Sequence, residues 1–143
     1  MGWTHYWERE PEFPTEAFAR AAADCRTAVL ALGVPLGNEL GENAPVWTAE
    51  EIVFNGTRGA GCEPFVVRRH EMPRRGRPRV FSYCKTEQLP YDLCVRVALI
   101  VLKHCLGTAI TVTSDGGDAE WQQARDACQE HLGYGQDFRL DKP

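Results

Sequence analysis

Three short polar segments interrupt an otherwise apolar pattern, and each offers groups that can do chemistry. They are Cys84-Lys85-Thr86 with Pro90-Tyr91-Asp92 close behind, Ser114-Asp115-Gly116, and the glycine-rich run Asn55-Gly56-Thr57-Arg58. Lys85 and Arg58 are cations suited to an anionic group. Thr86, Tyr91, Ser114 and Asn55 carry side chains that hydrogen-bond. Asp92 and Asp115 supply carboxylates, and Gly116 lets backbone approach a ligand closely. Cys84 would be a nucleophile if a base lay within hydrogen-bond reach.

Each of these groups also has an ordinary structural use. Ser114 or Asp115, after a strand and before a helix, can cap that helix. Asp92 in a first turn favours the helix dipole without any ligand. Cys84 falls on an alternating strand pattern and fits as a packed small hydrophobe. The glycines of "NGTRGAG" are not followed by the Gly-Lys-Ser/Thr of a phosphate loop, and "SDGG" is no dinucleotide fingerprint. No one motif is specific; the case for a site rests on their convergence.

A different feature is the run Arg68, Arg69, Arg74, Arg75, Arg77 and Arg79, with His70 among them. Such a basic patch can meet phosphates or an acidic partner. Its plain explanation is a solvated hairpin guarding a sheet edge. No aromatic lies between Arg68 and Arg79, which counts against a stacking platform for single strands. His5, His70, His104 and His131 are scattered, and no Cys/His spacing suits a zinc site, so neither a metal nor a cofactor is expected.

The elements that must position these groups follow from periodicity. Residues 15–33 read as a helix, with Phe18, Ala22, Cys25 and Val29 on one face and Gly33 placed to end it. Ile52–Phe54, residues 63–69, residues 79–84 and residues 109–115 read as strands. The segment 90–107 reads as a central buried helix and 117–133 as an amphipathic one. The aromatic-rich opening, residues 1–13, is expected to lie across the core as an irregular strap. The first three strands have connections short enough for an antiparallel meander, and the fourth follows a helical crossover. The fold expected is α/β in the broad sense (α+β): a two-layer sandwich with a mixed sheet of about four strands and about three helices. On that topology loops 55–63, 84–92 and 114–118 share one end, and the Arg-rich loop lies at the other.

The totals are those of an ordinary globular chain. The 143 residues fit a single domain, with the sheet and most helices in 48–143. A net charge of −4 argues against coating nucleic acid through bulk charge. The apolar run around Val97–Leu102 is too short to span a bilayer, so no membrane is expected. The opening "MGWTHYWERE" lacks the order of a signal peptide, and the 6 cysteines show no C-x-x-C pair. Reduced thiols in a cytoplasm are the expectation.

The words "FNG", "EPF", "CKT", "PYD", "SDG" and "LGYG-x-DF-x-LD", with the opening "WTHYW", resemble a family of small uncharacterised bacterial proteins. That resemblance implies no activity. It does imply that Cys84–Thr86, Pro90–Asp92 and Ser114–Gly116 belong to a shared pattern, whereas the Arg-rich segment is less typical of it. The functional expectation is a binding protein that takes a small polar or anionic ligand, or a protein partner, at the edge formed by 55–63, 84–92 and 114–118. An enzyme using Cys84 or Asp115 there is the alternative, and an interaction of the Arg-rich loop with nucleic acid or an acidic partner is the third.

Overall fold

The computed structural model describes residues 3–142. In chain order the elements are β1 (Thr4–Arg9), α1 (Thr15–Ala31), β2 (Leu36–Gly37), β3 (Val46–Trp47), β4 (Glu51–Gly56), β5 (Phe65–Arg68), β6 (Val80–Lys85), α2 (Asp92–Leu106), β7 (Ile110–Ser114) and α3 (Gln122–Leu132). Short 3-10 turns precede β7 and α3. The fold is α+β, with the three helices the periodicity implied.

The sheet arrangement departs from a single mixed sheet. One sheet has the order β6-β1-β7; in the other β4 pairs with β2, β3 and β5, and every pairing is antiparallel. The meander therefore stops after β5. The reason is β1: residues 4–9 of the expected strap form the middle strand between β6 and β7, while residues 1 and 2 lie outside the described residues. Both neighbours run antiparallel to β1, so β6 and β7 still point the same way and end together. The inward side of β1 is His5, Trp7 and Arg9, of which two are polar. Apolar periodicity could not signal such a strand.

Arg9 explains how the two sheets are joined at the far end. Its guanidinium is fully buried and lies 3.8 Å over the Phe13 ring. It donates to the carbonyls of Glu10, Arg69 and Pro11 at 2.9, 2.9 and 3.2 Å, and to that of Arg68. Glu71 pairs with it at 3.2 Å. Near the other end the loop leading into β5 meets β6, where the Glu63 N–H donates to the Lys85 carbonyl at 3.0 Å.

The helix α2 is apolar nearly all round, as expected of a central helix, with Val95, Val97, Leu99, Ile100 and Leu102 buried against its neighbours. Trp7, Phe54 and Phe65 form an aromatic cluster between the sheets, with centroids 5.1–5.3 Å apart. No helix among the described residues is long and apolar enough to cross a membrane.

Candidate functional site

Strand direction brings the tips of β6 and β7 to one end, on either side of the first residues of β1. Thr4 pairs with Lys85, and His5 with both Cys84 and Ser114. His5 is the residue the sequence did not single out. It points inward from β1, fully buried, and meets the start of α2. Its Nε2 lies 2.7 Å from Asp92 Oδ1, and its Nδ1 lies 2.8 Å from Ser114 Oγ. One imidazole thus ties β1, β7 and α2 together.

Asp92 is the hub of this network. It accepts from His5, from the Thr86 hydroxyl and, at 2.8 Å, from Arg96 Nε one turn along α2. Burial pushes the Asp92 carboxyl up. The His5 hydrogen bond and charge, the Thr86 hydroxyl and the Arg96 guanidinium together outweigh it and hold the group below its ordinary value. With Asp92 ionised, Nε2–H donates to the carboxylate, and Nδ1 shares the second hydrogen bond with the Ser114 hydroxyl. Ser114 Oγ also accepts the Gly116 N–H at 3.1 Å, closing the turn after β7.

Carboxylate, imidazole and hydroxyl in this order resemble a hydrolytic relay. The surroundings do not favour that use. His5 is sealed between Trp3 and Trp121, both edge-on at 6.4 and 5.2 Å between centroids. Trp3 also covers the Ser114 turn: a Cβ on Gly116 would sit 2.6 Å from the indole ring. Neither Ser114 nor His5 lines the adjacent cleft.

That cleft lies between the start of α2 and the 3-10 turn before α3. Its volume is about 460 Å³, and Trp3, Gln88, Leu89, Pro90, Leu93 and Gln123 wall it, with Asp92, Arg96 and Glu120. The volume falls within the roughly 300–1,000 Å³ usual for small-molecule sites. Arg96 is largely covered and already committed, to Asp92 and to the Glu120 carbonyl at 2.6 Å. The exposed charge in the cleft is the Glu120 carboxylate. Its rim is strained, because Glu87 and Gln88 both hold positive φ, 54° and 60°, in the left-handed region that L residues seldom occupy.

The residues singled out from sequence divide into three groups. Thr86, Asp92, Ser114 and Gly116 belong to the buried network or lie beside it, and only Asp92 of these lines the cleft. Tyr91 is buried, its hydroxyl donating to the Glu63 carbonyl at 2.6 Å, so it fastens loop 55–63 to α2. Asp115 secures the start of β1, accepting from Thr4 N–H at 3.0 Å and Tyr6 hydroxyl at 2.9 Å. With both oxygens so engaged it is poorly placed as a general base. Lys85 projects from the opposite, outer face of the sheet, 3.6 Å from Glu87. Asn55 donates to the Glu39 and Cys62 carbonyls, both at 3.1 Å, and Arg58 pairs with Glu42 at 2.9 Å. These last residues therefore stand apart from the cleft.

Cys84 loses the nucleophile role. It is buried, its thiol faces the Glu63 carbonyl at 3.3 Å, and burial first, then the Glu63 charge, push the thiol well above its ordinary value. In the Arg-rich segment, Arg68, Arg69 and Arg79 are engaged by Glu51, Glu50 and Glu10 at 3.3, 3.2 and 3.1 Å. Arg74, Arg75 and Arg77 stay exposed.

Trp3, His5, Arg96, Glu120, Gln88 and Gln123 escaped the sequence reading. Of these only Arg96 carried a usable signal, four residues after Asp92 on a helix. No family model, no curated protein and no solved structure matches the chain.

Proposed function

We propose that this is a binding protein whose cleft at the ends of β6 and β7 takes a small polar ligand, neutral or cationic, or such a side chain from a protein partner. One observation carries the reading. The titratable groups behind the cleft are satisfied internally, whereas the groups facing solvent are an indole wall, two carboxamides and one carboxylate. Recognition needs such a surface; catalysis needs a reactive group that reaches the substrate. An anionic ligand is disfavoured, because Asp92 neutralises Arg96 and Glu120 adds negative charge. A cation or amide can instead lie over Trp3 and bond to Glu120, Gln88 or Gln123. The six unpaired cysteines support a reducing compartment such as a bacterial cytoplasm.

The test is a thermal-shift panel of amines, guanidines and amides against carboxylates and nucleotides. It compares the wild type with Glu120→Gln and Gln123→Ala. The reading expects cations and amides to raise the melting temperature of the wild type and to lose most of that effect in both variants. Stabilisation by anions alone, or equal shifts in all proteins, would remove the cleft from consideration.

A further inference from the structure

The β6-β1-β7 sheet buries one face and leaves the other uncovered, and the uncovered face carries aromatic rings. Register places Tyr6 opposite Tyr83 and Glu8 opposite Phe81, all on the outer side. Phe81 and Tyr83 are 57% and 55% exposed. Tyr6 and Phe81 are near-parallel with centroids 6.2 Å apart, and Phe81 lies the same distance from Tyr83. Two exposed rings, with the partly covered Tyr6 beside them, form an apolar patch on the surface.

The basic loop ends beside them. Arg74 and Arg77 close a β-turn, with Arg77 N–H donating to the Arg74 carbonyl at 2.9 Å and Gly76 at φ 80° in the position that needs it. Arg74, Arg75 and Arg77 are exposed and have no ion-pair partner among the described residues. A groove of about 510 Å³ runs from this turn to the rings, lined by Met72, Arg74, Arg77, Arg79, Phe81 and Tyr83. The missing aromatics of the Arg-rich loop are supplied by β6 and β1. Phe81 and Tyr83 follow Arg79 closely in the sequence, whereas Tyr6, far along the chain, joins them only through the pairing of β1 with β6.

We infer that this face binds single-stranded nucleic acid, with bases stacked on Phe81, Tyr83 and Tyr6 and phosphates held by Arg74, Arg75 and Arg77. The charge complementarity is specific in kind. Arginine forks match phosphate oxygens, and every base presents a flat face to a ring. A duplex hides those faces, so a sheet platform selects unpaired strands. Glu8 lies on the same face and opposes the phosphates, which limits affinity.

Fluorescence anisotropy of labelled oligothymidylate and oligouridylate tests this, with a duplex and polyglutamate as competitors. Both single strands are expected to bind at about 50 mM salt and to weaken steeply as salt rises. Phe81→Ala/Tyr83→Ala, both on an exposed face, should lose about tenfold per ring with the salt slope kept. Arg74→Ala/Arg75→Ala/Arg77→Ala should flatten that slope by about 2 units. Glu8→Gln should tighten binding. The inference is overturned by competition from duplex or polyglutamate as strong as from the single strand, or by wild-type affinity in the ring variant. It is equally overturned by no binding at about 50 mM salt, or by sedimentation showing the rings consumed in self-association.

Discussion

Replacing His5 with alanine isolates the network behind the cleft. The imidazole is fully buried and bonds at 2.7 Å to a carboxylate and at 2.8 Å to a hydroxyl. Losing the bond to the ionised Asp92 costs about 2 kcal/mol, and the bond to Ser114 about 1 kcal/mol. The space left between Trp3 and Trp121 adds about 1 kcal/mol more. The expected loss is therefore about 4 kcal/mol, a large part of the roughly 5–15 kcal/mol that holds a domain folded. Urea unfolding at neutral pH measures it. With a slope near 2 kcal/mol/M the midpoint should fall by about 2 M, the slope itself unchanged. His70→Ala is the matched control: its side chain is half exposed beside Glu12. It should cost under about 0.5 kcal/mol. If His5→Ala lies within about 1 kcal/mol of the wild type, the imidazole does not tie the three elements, and the reasoning fails.

Asp92 sets the acid response. Its folded carboxyl lies below the ordinary 3.8, so its contribution is present above about pH 4 and is lost as pH falls through the lowered value. Asp92→Asn should cost about 3 kcal/mol at neutral pH, by leaving Arg96 unpaired. Melting temperatures followed from pH 7 downward should then fall less steeply on the acid side than in the wild type. Arg9→Met should cost at least about 3 kcal/mol in the same urea assay, since it removes the cation paired with Glu71 and the guanidinium donors to the carbonyls of Arg68 and Arg69; a near-neutral result would show that the sheets are not joined through this guanidinium. In native protein an alkylating reagent should reach Cys62 and Cys105, which are partly exposed, and spare Cys25, Cys84, Cys94 and Cys128 until urea is added. Mass mapping that finds Cys84 modified early would restore it as a reactive group.

Where apolar periodicity carries the information, the sequence was readable. The helices over Thr15–Ala31 and Asp92–Leu106 and the strand Val80–Lys85 sit where spacing of Phe18, Cys25, Val97 or Val80 puts them. The common direction of β6 and β7 was legible from the intervening helix. The identity of the strand between them was not, because β1 turns His5 and Arg9 inward and its long-range partners, 80–85 and 110–114, leave no local trace. The same gap hid the site. Lys85 looked like the anchor of the edge, yet strand alternation sends it to the outer face, while Trp3 and His5 reach the edge only through pairing. Cys84 and Asp92 are the two sides of one lesson: burial silences a thiol that has no base, whereas three donors keep a carboxylate ionised against the same burial.

The claim that the cleft at the ends of β6 and β7 is a recognition surface is tested most directly by an NMR titration with methylguanidine. The indole N–H of Trp3 and the side-chain amides of Gln88 and Gln123 are observed together with the backbone. These three signals should move along one saturable curve, with Phe81 and Tyr83 unmoved. Stationary signals at all three positions, or saturable movement confined to another part of the molecule, would contradict the account.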